Sequence, residues 1–261
     1  HPGAGGALSH TALAFDEALD SCFRNRLYPA YKANRDPAPD ELKRQFTHCK
    51  ALCAALGLNV LAHGEYEADD LIGSALHAVR PRGFRGVIVS ADKDLSQLLA
   101  GADEQWDFAR GQRWGMAGVK ARHGVEAAQI ADYLALVGDS ADGFPGLPGW
   151  GAKSASTVLA KFGSIDAIPA SSGGGGLPGL GGAEKRARTL HDQMADALLF
   201  RVIATTAFQA PLSGPWPSSR HASARASRWL WSQLTWKPFS CGSLSVIAPL
   251  SVVCASMRAR R

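Results

Sequence analysis

Short apolar runs that end in acids recur along this chain, and this constrains its fold more than any other feature. "HTALAFD" runs apolar from Ala12 to Phe15 and delivers Asp16; "LNVLA" leads into "HGEYEADD"; "GVIVS" leads into "ADKD". Such runs, bounded by polar punctuation, read as buried strands. Between them lie helical patterns. In residues 40–56, Leu42, Phe46, Cys49, Cys53 and Leu56 recur at spacings of three and four, Asp40 stands at the start, and Gly57 is the stop. "EADDLIGSALHAV" reads as the next helix, and "ADKDLSQLL" turns helical after its strand. Strands alternating with helices predict an α/β fold: a doubly wound, mostly parallel sheet.

Beyond residue 127 the pattern is helical only. "AQIADYLALVG" sets Ile130, Tyr133, Leu134 and Val137 on one face, and "AKSASTVLAKFG" does so with Ala155, Val158, Leu159 and Phe162. "DSADGFPGLPGWG" connects them as a run of turns. A glycine tract, "SSGGGGLPGLGG", precedes "AEKRARTLHDQMADALLFRVIAT", which reads as one long helix. From Pro211 onward no period is sustained and no fold is assigned. The expected organisation is a core of residues 1–127, a helical domain of 128–212 and an unassigned tail of 213–261.

A net charge of +5 favours polyanionic partners. Five cysteines form no paired framework, which points to reduced thiols and a cytoplasmic setting. Cys49 and Cys53, a turn apart beside His48, read as small residues on a packed helix face, since no second ligand pair follows at zinc-finger spacing. No apolar run is long enough to span a bilayer, so no membrane partner is expected.

The acids carry the chemistry. Glu67, Asp69 and Asp70 crowd a strand-to-helix junction, Asp92 and Asp94 hang from the end of a buried strand, and Asp139 and Asp142 share a turn. Any one acid in a helix's first turn is ordinarily there for capping and the macrodipole. Together with Asp16 they make a set of oxygen ligands without paired histidines, which selects hard cations, Mg2+ or Mn2+. So many carboxylates exceed the needs of one ion, and two are expected. A metal pair can activate a water and steady the leaving oxygen of a phosphodiester.

"YPAYKANRDPAPDEL", "EADDLIG", "SADKDLSQLL" and "GDSADGFPGLPGWGAKSA", in this order and spacing, resemble the 5'-3' exonuclease domain of bacterial DNA polymerase I and the flap endonuclease superfamily, from Leu13 to Leu212. The resemblance implies a PIN-like (resolvase-like) sheet followed by a helix-three-turn-helix DNA-binding domain. It implies that Asp16, Glu67, Asp69, Asp70, Asp92, Asp94, Asp139 and Asp142 bind metal. Lys32 and Arg35 match a basic motif that stabilises charge on the scissile phosphate, and Tyr31 is placed to stack on a terminal base. Gly146, Gly149 and Gly151 match the turn that lets backbone approach duplex DNA, with Lys153 and a helix N-terminus alongside. Relatives hold a potassium ion at this turn, so K+ is implied by analogy. The implied partners are DNA with 5' flaps, single-stranded 5' ends and adjoining duplex, together with a DNA polymerase. A monomer and a cytoplasmic, nucleoid-associated setting are expected.

The sequence departs from this family in two respects. Members begin with a strand ending in a further metal-binding aspartate, whereas "HPGAGGALSHTA" contains no acid, so the first strand and one ligand are expected to be missing. Gly143 and Phe144 stand where the family has asparagine and an aliphatic residue. The expected activity is metal-dependent 5' nuclease action on DNA. A non-catalytic, structure-specific DNA-binding relative is the alternative favoured by the absent aspartate, and an RNA-cleaving relative is a third.

Overall fold

Alternation along β1 (His10–Asp16) sorts its side chains between two cores. Ala12 and Ala14 join Leu61, Leu71, Ile72, Ala75 and Leu76 on one side, while Leu13 and Phe15 pack with Cys53, Leu58, Val87, Val89 and Trp106 on the other. Period-two side-chain direction is what builds a two-sided strand. The computed structural model describes residues 10–18, 21–169 and 182–212 in full, and 251–257 as backbone.

In chain order β1 is followed by α1 (Phe23–Leu27), α2 (Asp40–Ala55), β2 (Asn59–His63), α3 (Ala68–Val79), β3 (Phe84–Val89), β4 (Glu104–Asp107), β5 (Gln112–Trp114) and α4 (Met116–His123). The helical part comprises α5 (Ile130–Val137), α6 (Ala152–Phe162), α7 (Ala183–Asp192) and α8 (Met194–Ala204), and β6 (Ser251–Met257) follows. The sheet order is β2-β1-β6-β3-β4-β5. β1 with β2, and β3 with β4, are the parallel pairs. α3 is buried along most of its length beneath this sheet, whereas α2 buries only Cys53 fully, with Leu42, Phe46 and Lys50 half-buried. The packed-face reading therefore holds for Cys53 and fails for Cys49, which is exposed.

Three expectations need correction. The tail carries a strand: β6 runs antiparallel between β1 and β3, with Leu13 opposite Val252 and Ile88 opposite Val253. The central place expected to stand without a strand is filled, because β1 and β3 leave their inner ladders to be paired and a strand of either direction can satisfy them. "DLSQL" turns helical as expected, as a short 3-10 helix. The expected long helix breaks at Gln193, where φ is −115° and ψ 28°, into α7 and α8. Short elements escaped the pattern altogether: α1, α4, β4 and β5 are three to eight residues long, too brief to show a period. Most of the glycine tract and residues 213–250 lie outside the described residues.

Candidate functional site

The carboxyl ends of β1 and β3, the start of α3 and the turn after α5 meet along one edge of the sheet. Open α/β sheets bind ligands at such an edge. Asp16 ends β1 and accepts the Ala68 N–H at 2.6 Å, tying the strand end to the first turn of α3. Glu67 caps that helix and is buried. Lys32 Nζ lies 2.5 Å from Glu67 Oε1, and the Tyr31 hydroxyl donates to Glu67 Oε2 at 2.7 Å. Asp142 stands opposite: Arg35 reaches its Oδ1 at 3.0 Å, Lys32 Nζ at 3.6 Å, and the Tyr31 hydroxyl lies 3.3 Å from Oδ2.

Lys32 is held there by an unusual backbone. Its φ of 53° is the positive value of a non-glycine residue among those described, and its N–H donates to the Asp142 carbonyl at 2.9 Å. Left-handed backbone in a residue with a Cβ is disfavoured and persists where neighbours enforce it. Gly143 is one enforcer: at φ 79° it lies so close that a Cβ would meet the Ala30 carbonyl at 2.9 Å and the Lys32 nitrogen at 3.3 Å. Glycine at this position leaves room for the basic turn to cross.

The second half of the site is built on β3. Asp92 Oδ1 accepts the Asp94 N–H at 3.0 Å, and Lys93 between them donates to Asp139 Oδ2 at 2.9 Å. Asp139 Oδ1 closes its own turn by accepting the Ala141 N–H at 2.8 Å. Electrostatics joins the two halves. Burial, then Asp92, Asp16 and Glu67, push the Asp69 carboxyl well above its usual range. Burial and Asp92 push Asp94 up to about 7. Burial and Glu67 raise both Asp16 and Asp142, despite the cations near them. Lys32 stays charged although burial opposes it, because Glu67 and Asp142 hold its proton. Asp139 is lowered against its burial, chiefly by Lys93.

Two of the expected roles do not survive this geometry. Asp70 is fully buried, and both its oxygens are taken by Arg24 at 2.7 Å, with the N–H groups of Glu67 and Ala207 at 3.1 and 2.8 Å completing the shell. Its lone pairs are committed to holding the fold, leaving none for a metal. Tyr31 is 3% exposed, so its ring is core and cannot stack on a base; its hydroxyl positions Glu67 and Asp142 instead. Arg24, which the sequence did not single out, also donates to the carbonyls of Ile203 at 2.8 Å and Thr205 at 2.9 Å, where α8 ends. One guanidinium thus fastens the helical part to the acidic edge.

The remaining acids fit hard cations in donor chemistry. Asp94 Oδ1 is buried without a hydrogen-bond partner, and the raised carboxyls describe a field of negative charge lacking compensation. Among the described residues no three metal-ligating side chains stand together as a ready coordination shell. Lys32 and Lys93 lie between the acids, pairing with Glu67 and Asp139.

The expected DNA turn is only partly free. Gly146 is buried against α5, and a Cβ there would lie 2.3 Å from the Gly138 nitrogen, so it is glycine for internal packing. Gly149 has open space, though its carbonyl accepts Arg186 Nε at 2.7 Å. Gly151 and Lys153 are exposed at the start of α6, with Ser154 capping it through the Gly151 N–H at 2.9 Å.

Residues 6–124 match the model of the 5'-3' exonuclease N-terminal resolvase-like domain, and residues 125–226 match the 5'-3' exonuclease C-terminal SAM fold. The chain belongs to the 5'-3' exonuclease family. It is 35% identical over 208 residues to the flap endonuclease Xni of Pectobacterium carotovorum, covering 79% of this chain and 77% of that protein. It is 36% identical over 160 residues to DNA polymerase I of Rhizobium leguminosarum, covering 61% of this chain but only 16% of that protein. The chain spans less than a fifth of its DNA polymerase I relatives. Its fold is similar to the T5 5'-exonuclease solved with bound divalent metal ions (zinc), with a TM-score of 0.59, 22% identity and 70% of each chain covered. It is also similar to the bacteriophage T5 flap endonuclease solved as a complex with DNA and metal ions, at a TM-score of 0.57 and 21% identity, covering 71% of this chain and 70% of that one.

Proposed function

We propose that this chain is a divalent-metal-dependent 5' nuclease that hydrolyses DNA phosphodiesters near 5' ends or at flap junctions. The observation that carries the proposal is the gathering of Asp16, Glu67, Asp69, Asp92, Asp94, Asp139 and Asp142 at one edge of the sheet, with Lys32 and Arg35 paired to Glu67 and Asp142 and Lys93 to Asp139. These seven acids are the proposed holders of two Mg2+ or Mn2+ ions. Such ions, when bound, supply an acidified water and charge neutralisation at the phosphodiester.

The chain's own residues perform the rest. Lys32 and Arg35 converge on the Asp142 carboxylate, which holds two positive charges at the edge where a phosphate would lie. Their positive charge then meets the charge that develops there in the transition state. Tyr31 keeps Glu67 and Asp142 in register from below. Gly151, Lys153 and the start of α6 grip the adjoining duplex by its phosphates, without sequence readout. A K+ ion at this turn, a DNA polymerase partner, a monomeric state and a cytoplasmic, nucleoid-associated role in replication and repair complete the proposal.

The test is cleavage of a 5'-flap DNA with Mg2+ and with EDTA, alongside Asp69→Asn and Asp92→Asn. Metal-dependent cutting that both variants lose is the expected result. Binding of the flap with no cutting at any Mg2+ concentration would move the assignment to a non-catalytic DNA-binding relative.

A further inference from the structure

The main-chain ladder between β3 and β4 ends where the Ser90 N–H donates to the Trp106 carbonyl at 3.0 Å. Beyond that bond the chain leaves the sheet, and it is there that it presents Asp92 and Asp94. A side chain takes over from the ladder. Gln105, on β4 opposite Ile88, is completely buried, and its Nε2 donates to the Ser90 carbonyl at 3.1 Å and to the Asp92 carbonyl at 2.6 Å. Its Oε1 accepts the Ser96 hydroxyl at 2.6 Å, from the 3-10 helix just past Asp94. The loop bearing both acids is thereby clamped on either side by one amide.

We propose that Gln105 is the positioning residue of the Asp92–Asp94 loop, setting where these two carboxylates stand and so how well they take a divalent cation; the proposal rests on the metal-site assignment above. Glutamine suits the task uniquely. Two carbonyls need two N–H donors and the serine proton needs an acceptor, and a primary amide offers all three on one rigid plane. A carboxylate of the same shape has no donor, and asparagine is a methylene too short.

Ser96 and its own partners fix the amide. Ser96 gives its single proton to Gln105, so its lone pairs receive the Trp114 indole N–H at 3.1 Å and, at 3.4 Å, His123 Nε2. With the serine proton so used, His123 donates from Nε2. Burial, with Arg122 and Lys93 nearby, lowers the His123 pKa. Ligand-supporting residues of this kind ordinarily influence metal affinity by tenfold or more.

The experiment compares Gln105→Met, which preserves length and volume, with Leu159→Ala, a truncation of a buried core residue in α6 that makes no hydrogen bond to Gln105 or to the Asp92–Asp94 loop. Mn2+ binding is measured by calorimetry, and hydrogen exchange at the Asp92 and Asp94 amides is followed without metal. Gln105→Met is expected to lose about tenfold or more in Mn2+ affinity and to speed exchange at both amides, while Leu159→Ala lowers Tm and leaves both readouts at wild-type values. Should Gln105→Met not fold, Ser96→Ala is read in the same way, with smaller shifts in the same direction. Unchanged exchange at these amides, or a Mn2+ loss no greater than that of Leu159→Ala, overturns the proposal. Mn2+ uptake that Asp92→Asn leaves intact instead overturns the metal assignment, and the metal-free exchange then still decides whether Gln105 holds the loop.

Discussion

Arg24 and Asp70 meet through two N–H···O contacts of 2.7 Å each, a forked pair deep enough that Asp70 has no exposed surface. Their geometry is bidentate, and the guanidinium's other donors go to the end of α8. Removing one partner strands the other charge in the core. Arg24→Met or Asp70→Asn is therefore expected to lower unfolding stability by about 3 to 5 kcal/mol, checked by urea denaturation. Losses in the two single variants and the double variant should be far from additive, since they share one contact.

Lys32 is proposed to act on the reaction more than on binding. Lys32→Ala should reduce kcat on flap DNA by about 10²- to 10³-fold, with little change in DNA Kd. Equal losses in both would reassign the lysine as an anchor.

Stability of the metal-free protein should rise as pH falls through the neutral range. The Asp94 carboxyl titrates at about 7 in the fold against its ordinary value of 3.8, so between these values the native state binds the extra proton. Asp16, Asp69 and Asp142 are raised in the same sense. Tm without metal is expected to be several degrees higher at pH ~6 than at pH ~8, and Mn2+ should remove or reverse the difference because it competes with these protons. A metal-free Tm that climbs from pH 6 to 8 would contradict the raised carboxyls.

Two glycines of the same turn should respond differently. Gly146→Ala forces a Cβ to 2.3 Å from the Gly138 nitrogen at φ 67°, whereas Gly149→Ala meets only backbone strain at φ 80°. The first should cost about 3 kcal/mol of stability or prevent folding, and the second about 1 kcal/mol. Thermal melts of both variants decide it.

Lys153, exposed at the start of α6, is proposed to contact a single phosphate. Lys153→Ala should weaken duplex binding alike for all sequences and reduce the salt slope of log Kd by about one. An unchanged slope would remove it from the interface.

The acidic edge was legible because each acid follows an apolar run, and a buried strand must deliver the residue after it to the sheet's edge. Asp16 and Asp92 are of this kind. The commitment of Asp70 was not legible, since Arg24 lies 46 residues away and only folding brings it within reach. Tyr31 read as a surface aromatic beside Lys32 and Arg35, yet its ring is core; local sequence does not report burial in a turn. Gln105 carried no signal either, being one of three polar residues in a four-residue strand.

Taken alone, the amino-acid order determined the alternation of strand and helix, the switch to helices and the identity of the acids, because periodicity and residue chemistry are local properties. Tertiary structure decided which acids remain available, which cations stand between them, and that β6 pairs with both β1 and β3. Those outcomes depend on contacts between residues distant along the chain, and hydrogen-bond saturation, desolvation and ladder pairing exist only once such residues are brought together.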